Sequence, residues 1–341
     1  MGVPVDVRGL RSFLAVAAAG SISRAAETLH IAQPALSLQI RQIEEALGVD
    51  LFTRSHRGVS ITAAGQCFES HARDILKRLD LACEDVRDLV TDPEGRVAIG
   101  LPQSMAKILT VPLVQETIRR WPKVRLQVIE LSTGYIPNHL LTGHIDIGLT
   151  FRANADPGLL FDHLVDEDLV LVAEPGRFGG SRRRDFLPAS AVRLHELSRY
   201  PMILPAGEHG LRALIDSHLR ASEVELQVLA EVNAIPELIA LAAAGVGCTV
   251  LSYASVCAEL RKGLLSASRI AEPAMSRPVF LCRSATMPLS VAASAVHDLL
   301  TEIVSARIAD GSWPARVAMA AGSSRSARSH LPSSGAASRQ T

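Results

Sequence analysis

Apolar positions between about Val7 and Ile61 fall into three short helical periods joined by tight turns, with a basic loop after them. The second period, residues 23–29, has a small-residue face and starts at a cap supplied by Ser21 or Ser23. After the turn His30-Ile31-Ala32 the third period opens on Gln33-Pro34, and proline is tolerated in a first helical turn because its missing N–H has no partner there. Leu36, Ile40, Ile43 and Leu47 recur at spacings of four, three and four, so that face packs inward. Residues 62–91 then read as one long amphipathic helix, stopped by Asp92-Pro93 and Gly95. Its apolar positions Phe68, Ala72, Ile75, Leu79, Ala82, Val86 and Leu89 alternate four and three apart, a heptad seam that suits pairing of two such helices. A helix lying on its own domain would show a broader stripe.

From Arg96 onward the period changes. Residues 97–101 form a short buried strand, followed by a helix over 104–120, a strand over 125–130, a helix over 135–141 and a strand over 145–150. A comparable set recurs at 202–204 (strand), 211–219 (helix), 226–231 (strand), 236–244 (helix) and 248–251 (strand). Strand–helix–strand repeats of this length predict parallel sheet flanked by helices, and two such units predict two lobes with a crevice between them. The strand 279–282 and the helix 291–308 return to the first lobe. Residues 311–341 are rich in Ser, Ala and Arg, hold no Asp or Glu, and are expected to be disordered.

These patterns give four segments: 1–61, with its two central helices at about 22–47; the linker helix 62–92; the two-lobed α/β region 93–310, its second lobe at about 166–268; and the tail 311–341. At 341 residues and 48% hydrophobic the chain can bury more than one core, and with 4% aromatics the packing falls to Leu, Ile, Val and Ala. Thirty-five cations balance 35 anions, so contact with a polyanion must come from a local patch rather than a basic coat. Five scattered cysteines (Cys67, Cys83, Cys248, Cys257, Cys282) show no CxxC spacing, which fits a reducing compartment and predicts neither disulfides nor a metal site. Residues 1–10 hold no apolar signal region, so the cytoplasm is the expected location. The apolar run 235–251 is short and carries Glu237, Gly245 and Gly247, which favours a buried helix and strand over a membrane span. No HExxH, P-loop or Gly-x-Ser-x-Gly motif occurs, and Gly245-x-Gly247 lacks a third glycine, so an enzyme is not expected and no cofactor is implied.

The chemistry lies at the start of the third helix. Gln33, Ser37 and Arg41, each four residues apart, align in one polar stripe. Glutamine can pair with an adenine edge, serine with bases or phosphates, and arginine with guanine or phosphate, as a major-groove reader requires. Arg54 and Arg57 then flank a turn with Gly58 at its tip, suited to a wing that touches phosphates or the minor groove. The bland alternative is a three-helix core with solvated polar faces. On this reading the first segment is a mainly α winged helix-turn-helix. In the α/β region, strand C-termini and helix N-termini make Gln103, Ser104, Ser132, Thr133, His209 and Asn233 candidates for a small ligand. Ordinary N-capping remains the simpler role for Ser104 and Ser132 singly.

The runs Phe13-Leu14-Ala15-Val16-Ala17, Gly20-Ser21-Ile22-Ser23-Arg24-Ala25-Ala26, Ile31-Ala32-Gln33-Pro34-Ala35-Leu36-Ser37, Ile43-Glu44 and Leu51-Phe52-Thr53-Arg54 closely resemble the LysR-type transcriptional regulators, as does 57–65. Looser likeness reaches about residue 305, and the nitrogen-assimilation-control subgroup is the nearest. The resemblance implies a periplasmic-binding-protein-like two-lobed domain after the linker helix. It also implies DNA contacts from Gln33, Pro34 and Ser37 and from the wing residues Arg54 and Arg57, to which the polar stripe adds Arg41 and the position after Ser37 adds Leu38. Implied partners are double-stranded promoter DNA, a second copy of the chain (homodimer or homotetramer), a small organic or inorganic effector in the cleft, and RNA polymerase; a membrane is not among them. Leu38 departs from the family, which usually has a polar residue there: it either meets a thymine methyl or forfeits one readout. Ser252 stands where many relatives have proline. Two other readings of the chain are an effector-independent DNA-bending regulator and a small-solute-binding protein, the second disfavoured by the N-terminal reader.

Overall fold

The computed structural model describes residues 5–55, 58–87, 92–179, 187–207 and 210–317. Three helices open the chain: α1 (Val7–Ala19), α2 (Ile22–Leu29) and α3 (Gln33–Leu47). Asp6 caps α1, accepting from the Gly9 amide at 2.7 Å, and Ser21 caps α2. Pro34 sits in the first turn of α3, and Gly48 ends that helix at φ +72°, a left-handed conformation glycine adopts without a Cβ penalty. Phe13, Val16, Ala25, Leu36 and Ile40 are buried together between these helices. The hairpin β1 (Phe52–Ser55) and β2 (Gly58–Ile61) follows, antiparallel with Arg54 opposite Val59. Glu44 Oε1 fixes its base, accepting from the Leu51 and Phe52 amides at 2.9 and 3.1 Å.

Helix α4 (Ala63–Arg87) starts at Thr62, whose hydroxyl accepts from the Gly65 amide at 3.0 Å. Gly65 is required there, because a Cβ would lie 2.2 Å from the Leu51 carbonyl oxygen.

The first lobe runs β3 (Gly95–Leu101), α5 (Gln103–Arg120), β4 (Val124–Glu130), α6 (Ile136–Leu141) and β5 (Ile147–Thr150). As the pattern predicted, β3 pairs in parallel with both β4 and β5. The next strand, β6 (Leu159–Ala173), is 15 residues long and belongs to both lobes. The second lobe continues with β7 (Ala191–Arg193), β8 (Pro201–Leu204), α7 (Gly210–Ala221), β9 (Gln227–Glu231), α8 (Ile235–Ala243), β10 (Thr249–Ser252), α9 (Tyr253–Arg261) and β11 (Ser266–Ala271). The chain then returns as β12 (Ser276–Ser284), α10 (Val291–Ala309) and β13 (Ala315–Val317). Early in β6, β12 and β13 pair with it; late in β6, β10 and β11 do, all four antiparallel.

Two expectations are thereby corrected. The sheet is mixed rather than all parallel: β3, β4 and β5 pair in parallel, but β10, β11, β12 and β13 all run antiparallel to the long strand β6. The segment expected to be disordered from residue 311 is ordered at its start: Trp313 is 1% exposed, and β13 adds to β6. One buried indole and three ladder residues are enough to anchor a stretch whose composition alone reads as solvated.

Candidate nucleic-acid interface and interlobe cleft

On α3 the structure separates two faces. Leu36, Ile40 and Ile43 are buried, while Gln33, Pro34, Leu38, Arg41 and Gln42 are exposed and Ser37 is half-buried. Gln39 is turned inward, its Oε1 accepting from the Ser12 hydroxyl at 2.8 Å. Arg41 shares a shallow depression with Glu44 and Glu45 toward the C-terminal end of the helix. The hairpin docks on the α1–α2 turn: the Val59 amide donates to the Gly20 carbonyl at 3.1 Å. Gly58 approaches the same carbonyl so closely, at φ +124°, that a Cβ would stand 2.6 Å from it. Arg54 lies on β1, and Arg57 falls outside the described residues.

The α4 seam divides in two. Phe68 meets Phe13 edge-on with ring centroids 4.8 Å apart, and Ala72 is fully buried in the same helical core. These two positions therefore pack on the chain's own reading head, because α4 lies across α1 before it leaves it. Ile75, Leu79 and Ala82 remain exposed. Beside them Val5, Val7, Leu10, Leu47, Phe68 and Ile75 line an apolar cavity of about 430 Å³. Val86 lies in α4, and Leu89 is outside the described residues.

Farther along, α4 is tied to the first lobe. Lys77 Nζ reaches Asp146 Oδ1 at 2.5 Å, and the other oxygen of that carboxylate accepts from the Ala98 amide in β3 at 2.8 Å. Arg78 donates to the Thr286 carbonyl. Between them, Asp74 has a buried Oδ1 with no hydrogen-bond partner. Burial holds its carboxyl above the ordinary aspartate value, against the pull of His71, Arg78 and Lys77.

The cleft candidates are arranged by the topology. Gln103 and Ser104 follow β3, and Ser132 and Thr133 follow the adjacent β4, where the Leu131 amide donates to the Leu101 carbonyl at 3.0 Å. Asn233 follows β9 in the second lobe and is exposed; His209 lies outside the described residues. Ser104 does not cap α5, whose N-cap is Pro102, and Ser132 does not cap α6, whose N-cap is Tyr135. The Ser104 hydroxyl accepts instead from Arg277 Nη2 at 2.8 Å. That guanidinium also donates through Nε to Glu167 Oε2 at 2.8 Å and lies 3.6 Å from the centre of the Phe151 ring. Glu167 Oε1 in turn accepts from the Ala254 amide of α9 at 2.9 Å and from Trp313 Nε1 at 3.2 Å. First lobe, shared strand, second lobe and C-terminal segment thus meet at one buried charge pair. Elsewhere in the domain, burial pushes the Cys282 thiol up to about 12 and raises those of Cys248 and Cys257.

Residues 7–66 match the family described as bacterial regulatory helix-turn-helix protein, lysR family, and residues 91–305 match the LysR substrate binding domain. The chain belongs to the LysR family. It is a LysR-type transcriptional regulator with a DNA-binding helix-turn-helix. This regulator is 32% identical over 305 residues to the nitrogen assimilation regulatory protein nac of Klebsiella aerogenes, covering 88% of this chain and 96% of that one. It is 28% identical to the HTH-type transcriptional regulator BbuR of Bordetella bronchiseptica over 91% of this chain and 94% of that one. Among solved structures, full-length OxyR from Pseudomonas aeruginosa superposes with a TM-score of 0.69 at 20% identity, over 88% of this chain and 94% of that one. CbnR complexed with its target DNA superposes at 0.61 and 22% identity, over 88% of this chain and 100% of that one. At these identities the superpositions show the shared fold.

In this LysR-type regulator the side chains that sequence reasoning missed are Phe151, Glu167, Arg277 and Trp313. A charge shortly before an apolar run was the available signal for two of them, Glu167 ahead of Leu169-Val170-Leu171-Val172 and Arg277 ahead of Val279-Phe280-Leu281, although Asp166 and Asp168 beside Glu167 blur the first. No helix among the described residues is long and apolar enough to cross a membrane, and no group of three or more acidic, His or Cys side chains there could hold a metal ion.

Proposed function

We propose that this regulator acts in the cytoplasm as a dimer or tetramer that places two reading heads on a dyad-related promoter site. Half-sites would be about one helical turn, or a multiple of it, apart. Gln33, Pro34, Ser37, Leu38 and Arg41 supply the groove contacts of α3, and Arg54 and Arg57 the backbone contacts of the wing. The observation that carries this reading is the exposure of Gln33, Pro34, Leu38 and Arg41 on a helix whose other face buries Leu36, Ile40 and Ile43; Leu47, expected on that inward face, is exposed at the helix end. Ile75, Leu79 and Ala82 pair the two copies, with the apolar cavity beside Phe68 at the edge of that contact. RNA polymerase is the partner through which the bound protein changes transcription. Likeness to a nitrogen assimilation regulatory protein makes promoters of nitrogen-assimilation genes the first to test.

A small effector entering beside Gln103, Ser104, Ser132, Thr133 and Asn233 would modulate the domain. A second reading, regulation without an effector, is favoured by one contact: Arg277 already occupies the Ser104 hydroxyl. Thermal unfolding with a metabolite panel separates the two, because a ligand bound only by the folded state raises stability with its concentration. Genome-wide mapping of bound sites, followed by binding to recovered duplexes against random competitor, tests the reading as a whole. A dyad-symmetric consensus is expected; equal binding to every duplex overturns the proposal.

A further inference from the structure

The reading helix exposes an apolar side chain where its surroundings are polar. Leu38 is 57% exposed, whereas Leu36 and Ile40 are 0% and 1% exposed. A helix turns about 100° per residue, which sets Leu38 within about 15° of the direction opposite Leu36, Ile40 and Ile43. Gln33 and Ser37 lie toward the flank of the solvent face; Leu38 stands on its centre line, with Pro34 one turn before it and Arg41 one turn after. Other exposed apolar side chains near α3 are Ile31 before it, Val49 after it, and Val7 and Leu47, which border the cavity beside α4 on the core side of the helix. A partner chain covering that cavity leaves Leu38 uncovered.

We infer that Leu38 is a specificity-determining residue that packs against the 5-methyl group of a thymine in each half-site. This rests on α3 being the major-groove helix. Apart from that methyl and the smaller C5–H edge of cytosine, the groove floor presents hydrogen-bond donors and acceptors. Leucine pressed on any of those would strip water from a polar group and return no bond, which is unfavourable. Against a methyl the same contact removes apolar surface from water on both sides. Arg41 and Gln42, exposed on the following turn of α3, offer groups that suit phosphates and base edges.

The test uses the full-length protein and a duplex site selected from a randomised pool. Each thymine of that site is replaced in turn by deoxyuridine, which lacks only the methyl. Wild type is expected to lose about fourfold in Kd at one thymine per half-site, and about sixteenfold when both are replaced. Leu38→Ala should bind the thymine and uracil duplexes equally, and Leu38→Gln should select adenine at that position. Wild-type indifference to uracil at every thymine, or retained sensitivity in Leu38→Ala, overturns the inference. Failure to select any site from the pool would instead overturn the assignment of α3 as a reader, a distinct result.

Discussion

Glu167 on β6 and Arg277 on β12 form a buried ion pair, with 2.6 Å between Oε2 and Nη2 and side-chain exposures of 0% and 7%. Charges so far from water persist only when their hydrogen-bonding capacity is met from the protein. Here the carboxylate is met by the guanidinium, the Ala254 amide and the Trp313 indole, and the guanidinium also by Ser104 and the face of Phe151. The pair therefore locks the two lobes and the C-terminal segment into one arrangement.

Removing one partner should cost more than trimming the network. Glu167→Gln leaves Arg277 buried without its counter-charge and is expected to lower stability by about 3–5 kcal/mol. Trp313→Phe leaves the ion pair in place and removes one hydrogen bond to the carboxylate together with part of a buried ring, and is expected to cost less, about 2 kcal/mol. Urea unfolding of the three proteins checks the ranking; a Glu167→Gln midpoint equal to that of Trp313→Phe would contradict it.

Association should depend on the exposed part of the α4 seam alone. Ile75→Asp and Leu79→Asp are expected to yield monomers by analytical ultracentrifugation with helix content intact. Ala72→Leu overfills a fully buried position in the reading head and should cost about 1–3 kcal/mol of stability. Unchanged dimers in both aspartate variants would move the interface elsewhere.

Base readout and backbone binding should separate by their salt dependence. Gln33→Ala and Ser37→Ala are expected to weaken the selected site while leaving affinity for random DNA in place. Arg54→Ala and Arg57→Ala should weaken both and flatten the slope of log K against log salt by about 1 for each phosphate no longer neutralised. An unchanged slope removes those arginines from the interface.

Asp74 should make the junction of α4 with the first lobe sensitive to pH. Its folded-state pKa is raised by burial, so the stability tied to this group is fully present below the unfolded value and is lost as pH rises through the folded one. Asp74→Asn, which cannot ionise, is expected to be more stable than wild type at neutral pH. That advantage should vanish as pH falls below 3.8, the ordinary value. Denaturant midpoints at both ends of this window decide it; a constant difference would exclude titration of Asp74 as the cause.

The reading head was legible in the sequence because its signals are local. Ser21 and Pro34 set helix starts through interactions within a few residues, and the 3.6-residue period of Leu36, Ile40 and Ile43 marked the buried face. The parallel part of the first lobe was legible for the same reason. What the α/β region does with its polar groups was not. Ser104 finds Arg277 at a separation of 173 residues, and Glu167 finds Trp313 at 146. No periodicity or capping rule reaches that far, so these pairings exist only once β6 has gathered β12 and β13 on its flanks. Sequence thus determined the helix-turn-helix and which face of α3 carries its polar stripe. Tertiary packing decided that Leu38 stays exposed while its neighbours Leu36 and Ile40 are buried, and that Arg277 binds the Ser104 hydroxyl.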